Sequence, residues 1–268
     1  MLTSAVAIKP TNGANRSQRR TWRATISVIL PAFNEEMNLE AVVRSALKVL
    51  PSVSRAFEVI IVNDGSSDGT PRVAEELVRR CRNVRVVHHP HNMGYGAALK
   101  SGIEQARHEF IFFCDSDRQF TLNDLHRLLA WAGHYDIVAG YRQNRQDPLH
   151  RKLNARGWNL LVRAIFGLKL RDIDCAFKIF RREVFERLPI ETVGAMVNTE
   201  ILVRALAQGF TIKEVPVRHF PRRFGEQTGA KPHVILKAFC ELGRMYLKLR
   251  FAPVPSLPPV AVQRALEQ

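Results

Sequence analysis

Short apolar runs alternate with longer amphipathic stretches along the first half of the chain. The apolar runs predict buried strands at Ile26–Leu30, Phe57–Val62, Val84–Val87, Phe110–Cys114 and Ile137–Ala139. The stretches between them predict helices at Glu35–Leu50, Pro71–Arg80, Tyr95–Arg107 and Leu122–Trp131. Strands that are apolar throughout are buried on both faces, so the alternation predicts an α/β domain with a mostly parallel sheet and helices on both faces.

Polar residues mark the predicted starts of three of these helices. We expect Asn34 to cap the first helix, Thr70 to cap the second before Pro71, and Thr121 to form a capping box with Asp124. Ligands of open parallel sheets bind beyond the carboxyl ends of the strands. These starts place three polar segments at that edge, namely Pro31–Asn34, Asn63–Gly69 and Asp115–Gln119.

The second half of the chain has a different pattern. It predicts helices at Lys152–Phe166, Thr199–Gln208 and Val234–Phe251, with a strand at Ile212–Val217. The last helix carries its charges on one narrow stripe and is otherwise largely apolar. Such a helix either packs on the domain or lies in a membrane interface. We expect a disordered basic tail at residues 1–22, one domain at 23–231, an amphipathic helix at 232–252 and a flexible tail at 253–268.

The net charge of +15 is unevenly distributed. Residues 25–141 are close to neutral, whereas residues 142–187 carry 12 basic and five acidic groups, and residues 213–250 carry nine and three. A basic surface of this kind suits nucleic acid, an anionic membrane or a phosphorylated substrate.

No apolar run approaches 18 residues, so we expect no membrane-spanning helix, and no secretory leader is evident. The four cysteines are far apart and form no CxxC pair, which indicates reduced thiols in a cytosolic protein.

The residues most suggestive of chemistry follow the apolar run Phe110–Cys114. Two carboxylates, Asp115 and Asp117, emerge there with the amide of Gln119 two positions further on. Hard oxygen ligands clustered in this way suit Mg²⁺ or Mn²⁺ bound together with a diphosphate. The glycines of Asn92–Gly96 allow close backbone approach but do not form a dinucleotide fingerprint, because the third glycine is absent.

Four motifs occur in the order found in the family 2 inverting glycosyltransferases: Pro31–Glu35, Asn63–Thr70, Asn92–Gly96 and Asp115–Gln119. From about Ile26 to Lys231 the chain resembles that family, and more narrowly dolichol-phosphate mannose synthase and its bacterial polyprenyl-phosphate relatives. The resemblance implies the Rossmann-like GT-A fold. It also implies nucleotide contacts from Pro31, Phe33, Glu35 and Asp64, and metal contacts from Asp115, Asp117 and Gln119.

The narrower resemblance depends on the second half. Gly140–Arg142 and Leu149–Leu153 are similar to segments whose arginines hold the acceptor phosphate in that family, which implies this role for Arg142 and Arg151. With Asp117, these two arginines are the predicted catalytic residues. Arg222–Glu226 resembles a loop that clamps the donor diphosphate. The family's lysine falls at Thr228 here, so Lys231 is a candidate replacement.

The nature of the acceptor decides which catalytic groups are needed. A lipid phosphate is already an anion and needs positioning, whereas a sugar hydroxyl needs a general base, for which Asp172, Asp174 and Glu200 are the candidates. We therefore keep a soluble or glycan hydroxyl acceptor as the alternative. A nucleic-acid-binding protein is a minor alternative suggested only by the charge, because no module of base-stacking aromatics among the basic residues is evident.

These expectations combine into one hypothesis. The chain transfers mannose or glucose from GDP-mannose or UDP-glucose to a polyprenyl or dolichyl phosphate, with Mg²⁺ or Mn²⁺ as cofactor. We expect it to act at the cytoplasmic face of a membrane, as a peripheral protein on an anionic surface. A membrane protein is a possible further partner, and nucleic acid is not expected as one.

Overall fold

The computed structural model describes residues 24–143, 149–225 and 232–251. Its strands are β1 Ala24–Ala32, β2 Ser54–Asn63, β3 Val84–His88, β4 Phe110–Cys114, β5 Ile137–Gln143, β6 Phe177–Arg181 and β7 Ile212–Arg218. Its helices are α1 Glu36–Val53, α2 Thr70–Arg80, α3 Tyr95–Gln105, α4 Leu125–Ala132, α5 Leu149–Phe166, α6 Arg182–Arg187, α7 Val197–Ala207 and α8 Pro232–Phe251. A 3₁₀ turn, Leu122–Asp124, precedes α4. Every predicted strand and helix is therefore present, and β6 and α6 are additional.

The seven strands form one sheet in the order β3-β2-β1-β4-β6-β5-β7. The neighbours β1–β2, β1–β4, β2–β3 and β5–β7 are parallel, which confirms a mostly parallel sheet. Strand β6 lies antiparallel between β4 and β5. Because it runs the other way, the start of β6 lies beside the end of β4, where Cys114 pairs with Phe177. The loop that leads into β6 therefore reaches the same sheet edge as the segment that follows β4.

Both faces of the sheet are covered. Alternate residues of β4 enter opposite cores: Phe112 packs into the core under α1, α2 and α4, and Phe113 into the core that includes α3, α7 and α8. Both side chains are fully buried. Burial of one such side chain contributes about 2 kcal/mol, so the short central strand is held firmly from both sides. This rigidity positions the polar segment that begins at Asp115.

The helix-capping predictions are wrong in their side-chain contacts, although Thr121 does occupy the N-cap position of the 3₁₀ turn. The N-cap position of α1 is Glu35, whereas Asn34 has a φ of 56° and its side-chain oxygen accepts a bond from the Ser67 N–H at 2.9 Å. The Thr70 hydroxyl accepts from the Glu35 N–H at 2.8 Å and does not cap α2. The Asp124 carboxylate binds Arg218 and forms no capping box with Thr121. In each case a contact across the fold replaces the local one.

Among the described side chains of α8, some pack on the domain and others are exposed. Leu242 and Met245 are buried in the core, and Phe239 meets Trp158 of α5 edge-on at 5.6 Å. Phe239 is nevertheless half exposed, and Leu153 and Leu160 of α5 and Leu247 of α8 are exposed as well. Among the described residues, no helix is long and apolar enough to cross a bilayer. The predicted tails at 1–22 and 253–268 lie outside the described residues, and the division of the chain at 231/232 stays a prediction.

Candidate active site

Three predicted polar segments meet at one edge of the sheet. Strands β1, β2 and β4 are adjacent, and their carboxyl ends lead into Phe33–Glu35, Asp64–Gly69 and Asp115–Gln119. We call these three segments the carboxylate edge. Pro31 is buried within β1, where it pairs with Val62, and Phe33 is half-buried beyond the strand end. The fold therefore brings together residues that the sequence separates by more than 80 positions.

Asp115 and Asp117 lie in a tight turn after β4. Arg118 has a φ of 64°, and the Gln119 N–H donates to Asp117 Oδ1 at 3.0 Å, so the backbone turns back on the carboxylates. Burial, together with the nearby charge of Asp117, raises the pKa of Asp115 to about 7. Burial also raises the pKa of Asp117. Two carboxylates that resist ionisation in the protein alone are stabilised in the ionised form by an added cation.

This donor set fits a divalent metal ion. Mg²⁺ is commonly held by one or two carboxylates together with substrate phosphates and water, and not by a cage of protein ligands. Asp115 and Asp117 provide the two carboxylates. Across residues 24–143, 149–225 and 232–251, no group of three or more His, Cys, Asp or Glu side chains forms a metal cluster. The side chain of Gln119 lies at the same turn, with its Nε2 donating to the Phe220 carbonyl at 3.3 Å.

An arginine joins the first and third segments of the carboxylate edge. Arg222 Nη2 donates to Glu35 Oε1 at 2.5 Å, and Nη1 lies 3.5 Å from Asp117 Oδ2. Its Nε donates to the Phe224 carbonyl at 2.7 Å. Burial raises the pKa of Glu35, against the opposing effects of Asn38 and Arg222. The predicted phosphate-binding arginine therefore bridges two predicted ligand-binding carboxylates.

Asp64 organises the backbone beside it. Its carboxylate accepts from His89 Nδ1 at 2.7 Å and from the N–H groups of Met93 and Gly94 at 2.8 and 2.9 Å. Gly94 has a φ of 104°, and a Cβ there would lie 2.4 Å from the Val193 carbonyl oxygen. Only glycine suits this position, which explains a residue of the Asn92–Gly96 motif. Asp64 thus orients the start of α3, and sequence reasoning missed its partner His89.

Beside the carboxylate edge, charged side chains of β5 and β6 are bound by other groups of the protein. Arg142, on β5, forms a two-pronged contact with Asp172, with Nε–Oδ2 at 2.7 Å and Nη2–Oδ1 at 2.6 Å. Lys178 of β6 is fully buried, and its ammonium donates to the carbonyls of Ile173 and Cys175 and to Asn198 Oδ1. We call this set the paired region. It holds in place the loop that leads into β6.

The other predicted site residues have different placements. Arg151 lies in the first turns of α5, and Lys231 lies outside the described residues. Glu200, a candidate base, is 1% exposed and accepts from the Thr192 N–H at 2.8 Å and from Arg204 Nε at 2.9 Å. It therefore stabilises the segment before α7. Its position within an apolar helical pattern could have suggested this structural role.

Comparison with known proteins gives an independent result. The model of the family described as Glycosyl transferase family 2 matches residues 27–189. Glycosyltransferase AglD of Haloferax volcanii is 35% identical over 221 residues, which cover 77% of this chain and 35% of that protein. Undecaprenyl-phosphate 4-deoxy-4-formamido-L-arabinose transferase of Pseudomonas paraeruginosa is 32% identical over 206 residues, covering 75% and 59%. The chain thus spans about a third to three fifths of the length of these relatives.

Solved structures show a similar fold. Glucosyl-3-phosphoglycerate synthase of Mycobacterium tuberculosis in complex with UDP superposes with a TM-score of 0.64 at 21% identity, covering 83% of this chain and 80% of that one. The same enzyme in complex with Mn²⁺, UDP-glucose and phosphoglyceric acid gives a TM-score of 0.61 at 22% identity, covering 84% and 76%. At this level of identity the likeness concerns the fold.

Proposed function

The chain belongs to glycosyl transferase family 2 and is a glycosyltransferase, and on that premise we propose that it moves a hexose from a nucleoside-diphosphate sugar to a polyprenyl phosphate. Relatives named as undecaprenyl-phosphate sugar transferases support a lipid-phosphate acceptor. They extend beyond the matched region, so their whole activity does not transfer to this chain by likeness alone. The acceptor class must therefore be argued from the residues present.

The observation that carries the proposal is the engagement of two of the three candidate bases; the third, Asp174, is half-buried in the turn beside Asp172. A hydroxyl acceptor needs a carboxylate that can take its proton. Glu200 is buried and bound by Arg204 and two backbone N–H groups, and Asp172 is held by both prongs of Arg142. An acceptor phosphate needs no such base, because it is already an anion at neutral pH. The surroundings of the acceptor side are basic, which suits that anion.

On the donor side, the carboxylate edge would bind the nucleotide and the metal. Pro31, Phe33, Glu35 and Asp64 would surround the nucleoside, and Asp115, Asp117 and Gln119 would hold Mg²⁺ or Mn²⁺ against the diphosphate. The bound ion would offset the charge that develops on the departing diphosphate. GDP-mannose and UDP-glucose are the proposed donors, from the family resemblance. Arg222, already at this edge, would contact the diphosphate, with Lys231 as a further candidate.

The proposed reaction is a single displacement. An oxygen of the lipid phosphate forms a bond to the anomeric carbon as the bond from that carbon to the diphosphate breaks. The nucleoside diphosphate leaves with the electron pair, and the configuration at the anomeric carbon inverts. Arg142 and Arg151 would hold the acceptor phosphate in line, because a guanidinium fork matches phosphate oxygens. Arg142 would have to exchange its contact with the Asp172 carboxylate for the phosphate. Positioning of this kind lowers the barrier without proton transfer.

The acceptor would be reached at a membrane surface. Helices α5 and α8 expose apolar side chains beside basic ones, including Arg156, Arg163, Arg244 and Lys248. Burial of Leu160 or Leu247 in the interface would add to the attraction of these cations for anionic lipids. We propose a peripheral position on the cytoplasmic face. A membrane protein that supplies the lipid is compatible with this arrangement.

A four-way assay tests the acceptor class. The purified chain is incubated with Mn²⁺ and radiolabelled GDP-mannose or UDP-glucose, and with polyprenyl phosphate, polyprenol, phosphoglycerate or an oligosaccharide. We expect label in the organic phase with polyprenyl phosphate alone, with Asp117→Ala as the inactive control. Label transferred to polyprenol or to the oligosaccharide would favour a hydroxyl acceptor and contradict the proposal. Label transferred to phosphoglycerate, which carries a hydroxyl as well as a phosphate, would make the acceptor a soluble molecule and would equally contradict the proposal.

A further inference from the structure

Arg222 occupies an unusual position for a residue expected to bind a diphosphate. Its guanidinium lies between Glu35 and Asp117, at 2.5 Å and 3.5 Å from their oxygens. The side chain is 14% exposed, so water screens these contacts only partly. Asp117 is a proposed metal ligand. The same carboxylate thus faces a cation that belongs to the protein.

The loop that carries Arg222 is built around this contact. We call Phe220–Gly225 the Arg222 loop. Its first residue forms two hydrogen bonds with Gln119, the last residue of the Asp115–Gln119 turn. The Phe220 N–H donates to the Gln119 carbonyl at 2.8 Å, and Gln119 Nε2 donates to the Phe220 carbonyl. Near its end, the Phe224 carbonyl accepts from Arg222 Nε at 2.7 Å and from Asn38 Nδ2 at 3.4 Å. Both ends of the loop therefore hold the guanidinium in place.

Two further features fit the guanidinium closely. Gly225 has a φ of 78°, and a Cβ there would lie 2.9 Å from Arg222 Nη2. Asn38 Nδ2 donates to Glu35 Oε2 at 2.7 Å, which leaves Oε1 directed at Arg222. Neighbouring residues thus orient the carboxylate and leave room for the cation. The contact belongs to the loop's own architecture and does not depend on a flexible surface side chain.

We propose that Arg222 is an internal counter-cation that competes with the metal for Asp117 and is transferred to the diphosphate when the donor binds. The inference rests on the proposed function, because it takes Asp117 as a metal ligand. Without nucleotide, a metal ion must displace the guanidinium from Asp117 and lose part of its affinity. A diphosphate offers the guanidinium better partners, so that it releases Asp117 to the metal. Metal and nucleotide then bind cooperatively, and each raises the affinity of the protein for the other by the same factor.

This competition predicts that one variant changes the affinities for Mn²⁺ and for the nucleotide in opposite directions. Arg222→Gln removes the competitor, so Mn²⁺ binding without nucleotide should tighten by about tenfold, in the middle of the range for coupled sites. The same change removes a diphosphate contact, so UDP or GDP binding at saturating Mn²⁺ should weaken. Arg222→Lys retains a cation but not the fork, and should lie between the wild type and Arg222→Gln in both measurements. A residue with a purely structural role would weaken both ligands together.

The measurement is a titration of the whole chain with Mn²⁺, followed by the electron paramagnetic resonance signal of the free ion, with and without UDP or GDP. Arg79→Gln is the matched control, because Arg79 is an exposed arginine of α2 that lies outside the predicted donor-binding segments. It should match the wild type in both titrations. Thermal unfolding of each variant verifies that it is folded. The readout is binding and does not require turnover.

The outcomes separate this inference from the function on which it rests. The inference holds if the wild type binds Mn²⁺ and nucleotide cooperatively, and if Arg222→Gln binds Mn²⁺ more tightly in the absence of nucleotide but binds the nucleotide more weakly. If the wild type is cooperative but Arg222→Gln leaves Mn²⁺ affinity unchanged or weaker, the counter-cation is wrong and the metal site stands. If the wild type binds no Mn²⁺ with either nucleotide, the proposed donor site fails, and the inference fails with it.

Discussion

The carboxylate edge and the paired region lie side by side on the sheet and treat charge in opposite ways. At the carboxylate edge, Asp115 and Asp117 crowd together, and burial raises the pKa of each. In the paired region, Arg142 and Asp172 neutralise one another. Charge that is only partly compensated, here by Arg222, creates affinity for a ligand ion, whereas fully compensated charge mainly holds the structure. The excess of basic residues in the second half therefore overstates the number of cations available to a ligand.

The largest effect should come from Asp117 of the carboxylate edge. Asp117→Ala removes a proposed metal ligand, and we expect turnover to fall by roughly a thousandfold, or about 4 kcal/mol of transition-state stabilisation. The circular-dichroism melt should be nearly unchanged, because a buried like-charge neighbour of Asp115 has been removed. Asp136→Ala is the control: this carboxylate, at the opposite sheet edge, binds Thr211. It should lower stability and leave turnover intact; near wild-type turnover in Asp117→Ala would refute the metal assignment.

Removal of one partner in the paired region should cost stability first. Arg142→Ala leaves the Asp172 carboxylate buried without its cation, and we expect the unfolding free energy to fall by about 3 kcal/mol in urea titrations. The double variant Arg142→Ala/Asp172→Ala should lose less than the sum of the two single variants. Additive losses would show that the pair does not stabilise the fold.

The same arginine is also predicted to serve the acceptor. Arg142→Ala and Arg151→Ala should each raise the acceptor KM and leave nucleotide affinity nearly unchanged. The measurement is steady-state kinetics beside a nucleotide titration of the same preparation. Loss of nucleotide affinity in either variant would mean that the acceptor site has been misplaced.

The raised pKa of Asp115 makes the properties of the carboxylate edge depend on pH. The pKa of Asp115 is raised from 3.8 to about 7 by burial and by Asp117, so protons compete with the metal below that pH. We expect Mn²⁺ affinity to rise about tenfold per pH unit between pH 5 and 7 and to level off above. The stability of the metal-free protein should change in the opposite direction. Because the pKa of Asp115 is raised in the folded state, its contribution to stability is present below pH 4 and is lost as the pH rises through 7. Melting curves with and without Mn²⁺ test both, and Asp115→Asn should flatten the metal-free dependence.

The smallest effects should come from exposed cations that neither region uses. Arg163→Gln on α5 and Arg244→Gln on α8 should each weaken binding to anionic vesicles by about 1 kcal/mol, or roughly fivefold, at low salt. Arg79→Gln on α2, across the sheet, is the matched control and should have no effect. Co-sedimentation with anionic and neutral vesicles over a salt series is the measurement. Absence of binding to anionic vesicles at low salt would leave lipid delivery to a membrane partner.

Hydrophobic periodicity was sufficient to predict most of the fold, but it missed β6. The run Phe177–Arg181 places a lysine in mid-strand, which is typical of a solvent-facing position. Lys178 is fully buried here because its ammonium donates hydrogen bonds to the carbonyls of Ile173 and Cys175, in the loop before β6, and to Asn198 Oδ1 of α7. The Asn198 partner is 20 positions away, so the local pattern does not contain it. The capping errors have the same origin, since Asn34 and Thr70 bind each other's loops across the sheet edge and not their own helices.

The candidate site was predictable where its residues follow strands. Polar residues after Ala32, Asn63 and Cys114 share an edge by topology alone, and the structure brings them together. The contacts among them were not predictable. Arg222 and Glu35 are separated by 187 positions, and nothing in either segment indicates that they pair.

The central position of β6 also determines which fragments of this protein can remain in solution. Both edges of β4 are occupied, one by β1 and the other by β6. A fragment that ends at residue 171 would keep every segment of the carboxylate edge and lose β6. It would then expose Phe110–Cys114, an apolar strand without a charged residue, as an unpaired sheet edge. Such edges recruit further strands and aggregate. The carboxylate edge therefore cannot be excised as a soluble minimal unit, and a shortened version must extend beyond Arg181.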